Sequence, residues 1–192
     1  HERPDYAAHS ADKGAFYTAL VKECTDLVRD VKDATANMAN VASAVFHALR
    51  AARGTNGTNW VGFYVVRPDS SSEYGSKLVL GPFHGLPAVV NIDFSKGVCG
   101  AAARTRETVL VPDVHAFPGH IACDSASNSE IVVPVFNGAG QLMAVFDLDC
   151  PIVRGFDEHD QHGLEQIASL VGQGSDWAPS SASAASSMKL AL

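Results

Sequence analysis

The sequence predicts an α+β fold in one domain, a largely antiparallel sheet covered by helices. Helical stripes stand at both ends of the chain, and a series of β-type segments lies between them. Two of those segments are joined by Asn137-Gly138-Ala139-Gly140, a strong hairpin signal, and a hairpin requires antiparallel strands. A chain of 192 residues is long enough for one well-buried domain and short for two.

The elements follow in order. Residues 1–13 are polar and read as a loose lead-in, 14–172 as the domain, and 173–192 as a tail rich in Ser and Ala. Phe16, Leu20, Val21, Cys24, Leu27, Val28 and Val31 recur at helical spacing, giving a first amphipathic helix. Asp33 is placed to cap a second helix whose inward residues are Met38, Val41, Val45 and Leu49. The turn cluster GTNGTN, 54–59, ends it. WVGFYVV (60–66), KLVLGPF (77–83) and the run 88–94 read as strands. Residues 95–108 read as a loop opening a short helix, with the bend at Lys96-Gly97, and 108–112 as a short strand ended by Pro112. Residues 113–129 have no period and much turn chemistry; a loop of that length inside a compact domain is usually functional or mobile. The strands 129–136 and 141–150 form the hairpin, and Asp157 with Asp160 three residues later opens a last helix to about Val171. Beyond it, Trp177, Met188, Leu190 and Leu192 are the side chains expected to dock the tail.

Composition narrows the function. Hydrophobic residues make up 46% and charged residues 18%, as suits a compact soluble protein. No apolar run is long enough to span a bilayer and no secretory-type leader stands at the start, so no membrane partner and a cytoplasmic location are expected. A net charge of −7 argues against a nucleic-acid partner, whose phosphates would be repelled, but not against a small cationic or zwitterionic ligand. The cysteines at 24, 99, 123 and 150 form no CxxC pair, which favours buried, catalytic or metal-binding roles over a disulfide framework.

Strand alternation puts Trp60, Gly62 and Tyr64 on one face, with the glycine leaving space between two aromatic rings. Asp147 and Asp149 likewise share a face, and Glu130 begins the partner strand of the hairpin. Two readings stand: Asp149 is solvated near a strand end, or the carboxylates form a cluster that binds an ammonium group with cation–π support from Trp60 or Tyr64. Cys24, on the stripe of the first helix, and Cys150, beside Pro151, read as core packing. Cys99 sits in GVCG at a helix start, where the positive end of the helix favours thiolate. Cys123 sits in the long loop with His120 three before it and Asp124 after. Spacing leaves both Cys99 and Cys123 open between reactive and packed. A zinc site from His120, Cys123, Cys99 and a carboxylate lacks the closely paired ligands zinc usually shows, so no metal is expected.

Taken together, NWVGFY, LGPFHG, KGVCGAA, VPDVHAFPGHIACD, SEIVVPV and FDLD resemble the free methionine-(R)-sulfoxide reductases, which are single GAF domains. The resemblance runs from about Ala15 to Val171, and GHIACD with SEIVVP is its specific pair. It implies a central six-stranded antiparallel sheet with helices on its faces. It implies Cys123 as the catalytic nucleophile and Cys99 as a resolving cysteine; the reaction also needs a catalytic acid, which Glu130 or an aspartate supplies. Trp60 and Tyr64 become pocket walls, and Glu130, Asp147 and Asp149 its polar contacts. It further implies no metal or organic cofactor, a thioredoxin-like dithiol reductant, and a homodimer as a possible assembly. One departure stands out: ten residues before Cys99, where the family commonly has a further resolving cysteine, this chain has Val89. Two rivals from other classes are a GAF module that binds a small ligand without chemistry, and a structural dimerisation module.

Overall fold

The structure is a computed structural model that describes residues 3–119 and 125–177. Helix α1 (Lys13–Val28) starts where the Asp12 carboxylate accepts the Ala15 amide at 3.0 Å, and it buries Phe16, Leu20, Cys24 and Val28. It stops short of Val31, because the chain turns there to let Asp33 cap α2 (Ala34–Arg53) through the Ala36 amide at 2.8 Å. Met38, Val41, Val45 and Leu49 face inward as their spacing predicts, and Gly54, at φ +73°, takes the left-handed position that ends α2. Ahead of α1, where a loose lead-in is expected, Tyr6–His9 forms a 3-10 turn. Its Tyr6 ring is buried edge-on against Phe16, 5.5 Å between centroids, and its hydroxyl donates to Glu23.

Six strands follow: β1 (Trp60–Pro68), β2 (Ser76–His84), β3 (Asn91–Asp93), β4 (Val109–Val111), β5 (Ser129–Phe136) and β6 (Leu142–Cys150). Helix α3 (Gly97–Thr105) lies between β3 and β4, and α4 (Glu158–Gly174) closes the domain. The strands form one antiparallel sheet in the order β3-β2-β1-β6-β5-β4, as the α+β expectation requires.

The sheet separates two cores. One face carries Val61, Phe63, Ile131, Val133, Phe146 and Leu148 against α1, α2 and α4. Phe63 and Phe146 stack across β1 and β6 at 4.4 Å, a pair of the kind that contributes about 0.5–1.5 kcal/mol beyond its buried area. The other face carries Trp60, Tyr64, Val132 and Val145 against Val98, Cys99 and Ala102 of α3. Among the described residues, no helix is long and apolar enough to cross a membrane.

One strand is shorter than its sequence pattern. The strand expected over 88–94 contracts to Asn91–Asp93: the Val90 carbonyl still accepts the Leu80 amide of β2 at 2.8 Å, but the Val89 carbonyl ahead of it turns to the Tyr64 hydroxyl. Helix α3 is the short helix expected within 95–108, opening at the Lys96-Gly97 bend and ended by Arg106 in the left-handed region at φ +61°. Trp177 packs against the first core and donates from its indole to the Gly172 carbonyl at 2.9 Å. Met188, Leu190 and Leu192 lie outside the described residues.

Candidate active site

The register of β1, β6 and β5 builds the site. Trp60 pairs with Asp149, and Asp149 pairs with Glu130, so these three form one cross-strand row. Gly62, Asp147 and Val132 form the next row on the same face, and Tyr64 stands beyond Gly62 on β1. Glu130, whose face the sequence pattern leaves undetermined, therefore points the same way as Asp147 and Asp149. All three carboxylates are buried; Asp147 is 0% and Asp149 1% exposed, which removes the solvated strand-end reading of Asp149.

The aromatic wall departs from expectation. Gly62 does not leave an open slot. The Trp60 ring folds over it, and a methyl group at residue 62 would meet Phe83 Cβ at 2.4 Å and Trp60 Cη2 at 2.6 Å. Trp60 is stacked between Phe83, 5.3 Å away, and Tyr64, 5.9 Å away. Its indole N–H donates to the Leu86 carbonyl at 3.1 Å, and the Tyr64 hydroxyl donates to the Val89 carbonyl at 2.9 Å. The segment that carries Leu86 and Val89 is thus fastened to β1 by the two aromatic side chains, while Leu86, Val89 and Val90 face solvent. Phe83 lay within LGPFHG, but its ring partner was not deducible from spacing. Thr58, just ahead of NWVGFY, holds the Asp149 end of β6 by donating to the Asp149 carbonyl at 2.6 Å.

Helix α3 brings a thiol to the same place. Cys99 lies in its first turn and is buried, and its Sγ lies within 4.8 Å of a carboxylate oxygen from both Glu130 and Asp147. Among the described residues, neither oxygen of Asp147 receives a hydrogen bond of ordinary geometry; its polar neighbours are Cys99 and Glu130. Burial raises the Glu130 carboxyl well above the usual range, and the adjacent Asp149 charge raises it further. Burial also raises Asp147, with Glu130 as the next cause. Burial thus favours the protonated form of both groups, which suits this cluster to donating a proton or, beside a cation, to receiving an ammonium group.

The other two described thiols pack as expected. Cys24 is fully buried, and burial, aided by the neighbouring Glu23 charge, pushes its thiol up to about 12. Cys150 is 1% exposed, its thiol is raised by burial, and it donates to the Asn56 carbonyl. Both are thereby kept as unreactive thiols. Cys123, His120 and Asp124 lie outside the described residues.

The GAF domain family model matches residues 35–174 of the chain. A solved structure from Burkholderia vietnamiensis described as a GAF sensor is 43% identical at a TM-score of 0.74, covering 86% of this chain and 96% of that one. The free methionine-R-sulfoxide reductase from Neisseria meningitidis, solved in complex with its substrate, is 41% identical at a TM-score of 0.72, covering 84% of this chain and 89% of that one. The free methionine-R-sulfoxide reductase of Saccharomyces cerevisiae is 47% identical over 114 residues, 59% of this chain and 61% of the yeast protein's own length. The chain belongs to the GAF-domain family, and within it to the free methionine-R-sulfoxide reductases.

Proposed function

We propose that the protein reduces free L-methionine-(R)-S-oxide to methionine. The observation that carries this reading is the buried row of carboxylates beside Trp60, two of which burial raises well above the usual range, with a thiol among them. In the proposed reaction the Cys123 thiolate attacks the sulfoxide sulfur while Glu130 donates a proton to the oxygen. The protonated oxygen then passes to the Cys123 sulfur: the S–S bond made in the attack and the substrate S–O bond break, an S–O bond to Cys123 forms, methionine leaves with the electron pair, and Cys123 is oxidised to a sulfenic acid. Asp147 and Asp149 hold the substrate ammonium, which a peptide-bound residue lacks, and Trp60 and Tyr64 wall the pocket. The thiol of Cys99 then displaces the sulfenic hydroxyl as water, giving a Cys99–Cys123 disulfide. A thioredoxin-like dithiol protein reduces that disulfide by exchange. This chemistry belongs in the cytoplasm, where thiols are kept reduced, and a homodimer is a possible assembly.

The test is a coupled reductase assay with both epimers of the free sulfoxide and with a peptide-bound sulfoxide. Turnover of the free R epimer is expected, with little from the S epimer or the peptide. Cys123→Ser is expected to release no methionine even in a single turnover, because a hydroxyl is a poor substitute for a thiolate. A protein that binds the R epimer and returns it unchanged is a sensor, and that result would overturn the reading.

The recycling step has its own test. With Val89 in place of a cysteine, Cys99 is the remaining family-matched partner for Cys123, and enzyme given one equivalent of substrate is expected to show the Cys99–Cys123 disulfide by mass spectrometry. A persistent sulfenic acid on Cys123 with Cys99 still open to alkylation removes Cys99 from the resolving role. Cys99→Ser is expected to release one methionine per chain and then recycle slowly.

A further inference from the structure

Cys99, Glu130 and Asp147 come from three different elements, α3, β5 and β6, yet their donor atoms converge. Among the described residues, Cys99 Sγ and one oxygen from each carboxylate lie within 4.8 Å of one another, and all three side chains are buried. A second observation points to a ligand. Asp147 is 0% exposed, brings one carboxylate oxygen into this group, and accepts no hydrogen bond of ordinary geometry from any described residue. A buried carboxylate without donors costs free energy unless a proton or a cation compensates it.

From this convergence we propose that Cys99, Glu130 and Asp147 form a binding site for a thiophilic divalent cation of the zinc class, and that its occupancy inhibits the enzyme. The inhibitory half rests on the reductase function proposed above; the binding half does not.

The donor set selects the ion. One sulfur and two carboxylate oxygens suit Zn2+, which takes such ligands at about 2.3 Å for sulfur and about 2.0–2.2 Å for oxygen, with a fourth position for water. Mg2+ and Ca2+ prefer all-oxygen shells of six or more ligands, which three side chains including a thiol do not provide. Tetrahedral donors at those bond lengths stand roughly 3.5 Å apart, so a cluster whose donor atoms lie within 4.8 Å of one another needs only a small contraction, within reach of side-chain rotation. Binding forms a metal–thiolate bond and releases the Cys99 proton to solvent. Asp149, opposite Glu130 in the sheet, adds negative charge beside the site. Occupancy would take the proposed proton donor Glu130, the ammonium contact Asp147 and the resolving thiol Cys99 out of use together.

The test uses the full chain, reduced and freed of metal, titrated with Co2+ as the probe while thiolate-to-cobalt absorption and proton release are followed. One Co2+ per chain is expected, with the thiolate band present and displaced by Zn2+. Cys99→Ser should abolish the band, Cys123→Ser should retain it, and Asp147→Asn should weaken binding roughly tenfold or more, the scale on which ligand-sphere changes act. Absence of a saturable band, its survival in Cys99→Ser, its loss in Cys123→Ser, or unchanged affinity in Asp147→Asn each overturns the site. The Asp147→Asn arm keeps the test decisive if Cys99→Ser does not fold. Stoichiometric Zn2+ is expected to suppress sulfoxide turnover, with recovery on chelation; unimpaired turnover by zinc-loaded enzyme overturns the inhibitory half. Because the absorption readout needs no turnover, a chain that binds cobalt but reduces no sulfoxide refutes the reductase reading and leaves the metal site in place.

Discussion

Asp147→Asn is expected to be more stable than the wild type at neutral pH and about a hundredfold less active. The activity loss follows from the proposed contact to the substrate ammonium; a hydrogen bond to a charged group contributes about 1.5–3 kcal/mol, and one decade in rate corresponds to about 1.4 kcal/mol. The stability gain follows from burial. Asp147 is 0% exposed, and burial and Glu130 both raise its carboxyl above the ordinary range. Between the unfolded value, about 3.9, and the raised folded value, the native state holds a proton that the unfolded chain has lost. Stability therefore falls as pH rises through that interval. An amide of the same shape carries no such proton and is well placed to donate to Glu130. The variant should match the wild type near pH 4 and exceed it increasingly toward pH 8, by on the order of 1–2 kcal/mol, the scale at which relieved active-site strain appears. Part of the pH dependence should remain, because burial and Asp149 still raise Glu130. Denaturant midpoints across pH 4–9 check this, and a variant whose deficit grows with pH would show that Asp147 is ionised and structurally paired in the free protein.

Asp147 also marks how far the sequence could be read. The FDLD alternation put Asp147 and Asp149 on one face without a structure, because a strand's period is fixed by its backbone. Their meeting with Glu130 depends on register, which the hairpin turn constrains but does not reveal residue by residue. The convergence of Cys99 depends on how α3 lies on the sheet, a tertiary choice with no local signature. The shortened β3 was illegible for the same reason. Its apolar run satisfies a strand pattern, but the Val89 carbonyl turns to the Tyr64 hydroxyl, about 25 residues earlier. Alternation also misled at Gly62, where it implied empty space that the neighbouring Trp60 ring occupies. Motif resemblance supplied roles that periodicity could not, and Cys123, to which it assigns the largest one, lies outside the described residues.

Asp160 is the counterpart of Asp147, and its replacement by alanine is expected to be among the most destabilising single changes in the described domain. Both aspartates are 0% exposed, but Asp160 is fully partnered. It bonds Tyr17 Oη at 2.8 Å and Lys13 Nζ at 2.6 Å from α1, and the Arg53 guanidinium from α2. It also accepts the Asp157 amide at 2.9 Å, completing the capping box of α4. One carboxylate thus ties three helices together on the face of the sheet remote from the carboxylate pocket. Alanine would leave the Arg53 guanidinium, 81% removed from solvent, without its ion pair, and the buried Tyr17 hydroxyl without its acceptor. Breaking a buried pair from one side costs about 3–5 kcal/mol, and at roughly 2–4 °C per kcal/mol for a chain of this size the melting temperature should fall by on the order of 10 °C. The sequence showed only the local half of this role, since Asp157 and Asp160 are three apart while Tyr17 and Arg53 lie 143 and 107 residues away. Below the melting transition the variant should retain its kcat/KM, because the network touches none of the residues assigned to substrate. The two aspartates are then separable by two measurements: Asp147→Asn loses rate and gains stability, while Asp160→Ala loses stability and keeps rate. A melting temperature within about 2 °C of the wild type would show that Lys13, Tyr17 and Arg53 find other partners, and that the helices are held by their apolar faces alone.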